Sequence, residues 1–181
     1  YEEPVRSTIL SDIFNSPQWL MLDNDELTTG EAMDQIISQS SLPAGLIREI
    51  FDRRVELLVP ISSNIRLLPE LKKLGFRLFY LSNFPRDLWD QIHNGEGLYN
   101  YDFFDHFEDG LISADARCSK PDPEIYRLFF EKVPIIPEEC FYLDDLPANV
   151  DGAARAGMNA VVTHGAHDLY EKIMMRFSGN F

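Results

Sequence analysis

The chain has 181 residues, 45% of them hydrophobic and 25% charged, and a formal net charge of −14. That length and composition suit one folded domain, or one domain with a small appendage. The negative charge opposes nucleic acid or an anionic membrane as a partner held by bulk electrostatics, so any anionic substrate needs a local positive group or a bound cation. No apolar run approaches the roughly 18–20 residues that cross a bilayer, and no signal-peptide pattern opens the sequence. Cys118 and Cys140 are too few for a disulfide framework, which predicts reduced thiols and a cytoplasmic location.

The first sixty residues read as helices. Thr28–Gln39 (TTGEAMDQIISQ) pairs Thr28 with Glu31 in a capping-box pattern and lines Met33, Ile36 and Ile37 along one face. Pro43–Leu58 (PAGLIREIFDRRVELL) places Pro43 at a first helical position and carries a stripe of Leu46, Ile47, Ile50, Phe51 and Leu57. After Pro60 the pattern changes. NIRLLPELKKLG predicts a helix kinked or restarted at Pro69 and ended at Gly75. FRLFYLSN is a short apolar strand, and a helix follows near Arg86–His93. The aromatic segment YDFFDHFEDGLISA ends in a strand. DPEIYRLFFEKV is a helix, CFYLDD a strand, PANVDGAARAG a helix, NAVVTH a strand and AHDLYEKIMMRF a last helix. Strands alternating with helices predict βαβ units and a doubly wound parallel sheet of Rossmann type. The boundary falls near residues 60–64, dividing an α-helical module at 1–62 from an α/β module at 63–181.

In such sheets ligands bind beyond the carboxyl ends of the strands. FRLFYL ends at Ser82–Asn83, and CFYL ends at Asp144–Asp145. Lys120 sits in CSKPDPEIY, a loop just before a helix. All three polar groups are therefore expected on one rim. Each has a plainer explanation alone: a turn, a solvated helix start, a helix N-cap. Two adjacent carboxylates after an apolar strand nevertheless call for positive charge nearby.

LFYLSN, SKPDPEIY and CFYLDDLPANVDGAARAGM, in that order, resemble three motifs of the haloacid-dehalogenase-like hydrolase superfamily, and the helical N-terminal part resembles its small cap. The resemblance implies a phosphatase that acts on a small phosphorylated metabolite through an aspartyl-phosphate. Ser82 would donate its hydroxyl to a phosphate oxygen, with the Asn83 backbone N–H close by. Lys120 would hold the charge of the phosphoryl group. Asp144 and Asp145 would bind Mg²⁺, a hard cation suited to carboxylates, water and substrate phosphate, and Asn149 would support them from behind. Two alternatives stay open: a haloacid dehalogenase of the same fold, or a catalytically silent protein that binds in the same cleft. Dehalogenases of this family use no metal and carry Ser and Asn in place of the acidic pair, so Asp144–Asp145 argues for the phosphatase.

The family's nucleophile is the first aspartate of a D-x-D motif at the end of its first strand. WLMLDNDELT offers Asp23 as nucleophile and Asp25 as acid/base. A capping-box helix starts immediately after it, and it lies too close to Ser82 to bracket a helical cap. It is expected to be a cap turn instead. The chain is then expected to begin inside the cap, with the nucleophile's strand outside it and an open lane between FRLFYL and CFYL. His164 and His167 have a metal-compatible spacing but read as a polar loop. Arg53 and Arg54 read as solvated, and Trp19 as core.

Overall fold

The computed structural model describes residues 2–164, 168–169, 171–173 and 175. In chain order its helices and strands are α1 (Glu3–Ile9), α2 (Pro17–Asp23), α3 (Thr29–Gln39), α4 (Ala44–Arg53), α5 (Ser62–Lys73), β1 (Phe79–Ser82), α6 (Arg86–His93), β2 (Asp109–Ile112), α7 (Ser113–Ala116), α8 (Pro123–Lys132), β3 (Phe141–Asp144), α9 (Pro147–Arg155) and β4 (Asn159–Val162). They divide into two compact units. The first comprises Tyr1–Val59, Asn83–Asn100 and Ile112–Ser119; the second comprises Pro60–Ser82, Tyr101–Leu111 and Lys120–Phe181. The helical module expected at residues 1–62 supplies most of the first unit. Among the described residues no helix is long and apolar enough to cross a membrane.

In the first unit, local signals start the helices and an apolar core holds them. Ser16 caps α2 by accepting from the Trp19 N–H, with Pro17 at the first helical position. The capping box at α3 is present as expected: the Glu31 N–H donates to Thr28 Oγ1, and the Thr28 N–H donates to Glu31 Oε2. Ile13, Leu22, Ile36, Ile47 and Phe51 are buried together, with Trp19 packed against them. Trp19 meets Phe14 and Phe51 edge-on at 4.7 and 5.7 Å. Each fully buried Ile or Phe contributes about 1.5–3 kcal/mol.

The fourth helix differs from its sequence expectation at both ends. Pro43 is its N-cap rather than its first helical residue, and the α-helix stops at Arg53. Arg54–Leu57 form a tighter 3₁₀ turn, which rotates Leu57 off the apolar stripe and leaves it 61% exposed. The same turn buries Arg54, which had been expected in solvent. Its guanidinium donates to Phe51 O at 2.9 Å and pairs with Asp87 on α6. Arg53 does stay exposed, between Glu49 and Glu56.

In the second unit, α5 continues through Pro69 to Lys73, so the proline removes one helical hydrogen bond without ending the helix. Gly75 then closes it at φ +88°, a backbone conformation open to glycine. β1 pairs with β2. β3 pairs with β4 in parallel, from Phe141 opposite Asn159 to Asp144 opposite Val162, and α9 makes the crossover. Among the described residues these are two separate ladders, and β1 is not paired with β3. Ile125, Tyr126 and Phe129 of α8 and Val150 and Ala153 of α9 are buried. Gly152 lets these helices approach: a Cβ there would lie 2.8 Å from Tyr126 Oη. The helix expected at 166–177 falls partly outside the described residues.

Candidate functional site

Asp144 is the last residue of β3, and its carboxylate is the centre of a closed network in the second unit. Oδ2 accepts from Lys120 Nζ at 2.7 Å and from the Tyr142 hydroxyl at 2.7 Å. Oδ1 accepts from the Leu146 N–H at 2.9 Å and from Asn149 Nδ2 at 3.0 Å. The Lys120 and Asp144 side chains are only 9% and 6% exposed. Burial alone would raise the Asp144 pKa. The Lys120 charge, with the hydrogen bonds from Lys120, Tyr142 and Leu146, outweighs it and holds the group below its usual value.

Several elements bring these groups together. Lys120 lies in the loop before α8, and its ammonium also donates to Leu81 O at 2.8 Å. That bond joins it to the carboxyl end of β1, where Ser82 is the next residue and half-buried. Asn149 lies in the first turn of α9 and is buried. Its backbone carbonyl accepts from Tyr126 Oη at 2.8 Å, so α8 anchors the backbone of the residue whose side-chain amide holds Asp144. Burial, with a smaller contribution from Asp144, pushes the Tyr126 phenol up to about 12. Tyr142 is raised further, by burial first and then by its bond to Asp144.

The expected residues therefore fall into different places. Lys120, Asp144 and Asn149 are bonded together, and Ser82 adjoins the carbonyl that Lys120 holds. Asp145 is the next residue after Asp144 and is exposed. Asn83 follows Ser82 in sequence and belongs to the first unit. Tyr142 was not anticipated, although a strand places residues two apart on one face, and that spacing from Asp144 was legible.

Mg²⁺ takes oxygen ligands and keeps several waters, often with only one or two carboxylates from the protein. Asp144 does not fit that role, because four donors already occupy its two oxygens. Asp145 fits it, as an exposed carboxylate beside the network. Among the described residues no three His, Cys, Asp or Glu side chains gather into a ready-made metal cluster.

Trp19–Leu22 are helical, so the strand that an Asp23 nucleophile would need is not formed there. Asp23 ends α2 in the first unit, 8% exposed, with Oδ1 enclosed and without a hydrogen-bond partner among the described residues. Burial raises its pKa to about 7. Its backbone carbonyl accepts from the Ser113 hydroxyl at 2.6 Å. Asp25 has a positive φ and faces Arg117 at 3.5 Å. His164 is exposed, its backbone N–H donating to Asp168 Oδ2, and His167 lies outside the described residues.

The profile of haloacid dehalogenase-like hydrolases matches residues 33–157. The sesquiterpene phosphatase astK of Aspergillus oryzae is 29% identical over 149 residues, which cover 82% of this chain and 74% of that protein. The phosphoserine phosphatase of Thermus thermophilus is 35% identical over 95 residues, covering 52% of this chain and 36% of that protein. Among solved structures, a family enzyme from Bacteroides thetaiotaomicron in complex with magnesium and inorganic phosphate superposes with a TM-score of 0.66 at 22% identity. It covers 90% of this chain and 86% of its own. At that identity the likeness is one of fold. With the profile spanning most of the chain, the protein belongs to the haloacid dehalogenase-like hydrolase family.

Proposed function

We propose that this chain carries the phosphate-binding part of a Mg²⁺-dependent phosphatase acting on a small phosphorylated metabolite. The observation that carries this reading is the enclosed Lys120–Asp144 pair at the carboxyl ends of two strands, with Ser82 and Asp145 beside it. An ammonium held at that rim is fixed charge placed where a phosphoryl group would gain charge. The phosphatase relatives support the same class of substrate.

In this reading Ser82 donates to one phosphate oxygen, and Lys120 neutralises charge on the others. Asp144 holds Lys120 in place, and Asn149 and the Leu146 N–H hold Asp144. Asp145 would contribute a carboxylate to Mg²⁺, which when bound supplies further positive charge to the phosphoryl oxygens. An aspartyl-phosphate route needs a carboxylate in line with phosphorus. Asp23, at the end of a helix in the other unit, is not given that role, so turnover by the whole protein is part of the proposal.

Calorimetric titration with orthophosphate, with and without Mg²⁺, tests the site, and hydrolysis of p-nitrophenyl phosphate tests the reaction. Binding that strengthens with Mg²⁺ and weakens in Asp145→Asn is expected. Orthophosphate binding that ignores both Mg²⁺ and Asp145 would overturn the reading.

A further inference from the structure

The Asp144 oxygen that Lys120 reaches is shared. Tyr142 Oη and Lys120 Nζ both lie 2.7 Å from Asp144 Oδ2, and the Lys120 ammonium also sits 5.8 Å from the centre of the Tyr142 ring. Asp144 Oδ1 is already occupied by Leu146 and Asn149. The tyrosine therefore touches the lysine's counter-ion with its oxygen and flanks the lysine with its ring. The ring is in turn braced edge-to-face by Tyr126, with centroids 6.4 Å apart.

We propose that Tyr142 is a positioning residue for Lys120: its hydroxyl takes part of the Asp144 charge, which loosens the ion pair and keeps the ammonium available to an anion at the rim. The argument is one of competition. In an enclosed site the attraction between a carboxylate and an ammonium is strong. A neutral donor on the same oxygen spreads the carboxylate's charge and weakens that hold without removing it. Without the phenol, Asp144 would keep Lys120 to itself. The ring face, within reach of a cation–π contact, keeps the ammonium beside Oδ2 while the pair is loosened.

The use of this device in phosphate binding rests on the function proposed above, but the device can be tested without it. The test is the acetylation rate of Lys120 under limiting acetic anhydride at pH 8. It is followed by peptide mass spectrometry, with exposed Lys72 as internal reference, in the native chain and in Tyr142→Phe. The variant keeps the ring and its contact with Tyr126. The expected result is roughly three- to tenfold slower labelling of Lys120, the scale of one charge-assisted hydrogen bond partly redistributed. Tyr142→Leu should slow it as well, since the hydroxyl is lost in both. An unchanged rate in folded Tyr142→Phe would overturn the inference.

A second arm measures orthophosphate affinity. Tyr142→Phe should weaken it at least threefold, and should add less than twofold in a Lys120→Ala background. Equal losses in both backgrounds would overturn the inference. Slowed labelling in a chain that binds no orthophosphate would support the role of Tyr142 and overturn the phosphatase reading instead.

Discussion

Lys120 Nζ lies 2.7 Å from Asp144 Oδ2, both side chains are more than nine-tenths enclosed, and the same ammonium reaches Leu81 O at 2.8 Å. One lysine thus ties the carboxyl end of β1 to that of β3, two strands that share no ladder among the described residues. Removing either charge leaves the other buried alone. Lys120→Met should cost about 3–5 kcal/mol of stability at pH 7, and Lys120→Met combined with Asp144→Asn clearly less than the two single losses added together. Urea unfolding of the four proteins checks this.

The pH dependence of that pair has a fixed sign. The folded-state pKa of Asp144 lies below its ordinary value of 3.8. Its contribution is present above the unfolded pKa and is lost as the pH falls through the folded value. The native chain should therefore keep the pair's contribution from pH 7 down to 5, whereas in Lys120→Met the buried Asp144, without its counter-ion, favours protonation, so the stability gap between the two should narrow as the pH falls.

Asp23 behaves in the opposite sense. Its pKa rises from 3.8 to about 7 on folding, because burial disfavours the charged form. Below pH 3.8 it is protonated in both states and costs nothing. Between about 3.8 and 7 the unfolded chain has released the proton and the folded chain has not, so stability falls as the pH rises, and above 7 the full cost applies. Asp23→Asn should gain up to about 4 kcal/mol on the native chain at pH 8 and little at pH 4. Thermal unfolding at the two pH values checks the difference.

The two adjacent aspartates should separate cleanly on mutation. Asp145→Asn should abolish the Mg²⁺ dependence of orthophosphate binding while changing stability by less than about 0.5 kcal/mol, since its side chain is exposed. Asp144→Asn should destabilise the fold first, by leaving Lys120 without its counter-ion. Parallel calorimetry and unfolding on both variants distinguish these outcomes.

Two packing predictions concern the frame. Gly152→Ala puts a methyl group 2.8 Å from Tyr126 Oη, which holds the Asn149 carbonyl, and should cost about 1–3 kcal/mol. Thr28→Ala removes one half of the capping box of α3 and should cost about 1 kcal/mol. Denaturant midpoints measure both.

Elements set by local rules were legible in the sequence: the Thr28 cap, the helix at Arg86–His93, and the strands ending at Ser82 and Asp144. Each depends on residues a few positions apart, so periodicity and capping chemistry suffice to place it. The family was legible for the same reason, since its motifs are short and contiguous. Tertiary structure decided what the sequence left open. Asp144 and Asp145 are equivalent as letters; only the convergence of Lys120, Tyr142, Leu146 and Asn149 on one carboxylate makes Asp144 an anchor and leaves Asp145 exposed. Arg53 and Arg54 were equally alike until a 3₁₀ turn sent one into solvent and the other onto Asp87. Asp23 opens a D-x-D pattern that reads as a cap turn in sequence, and the structure makes it the buried end of a helix. Side-chain roles depend on which donors arrive from distant segments and on how much water they displace, and a linear pattern contains neither.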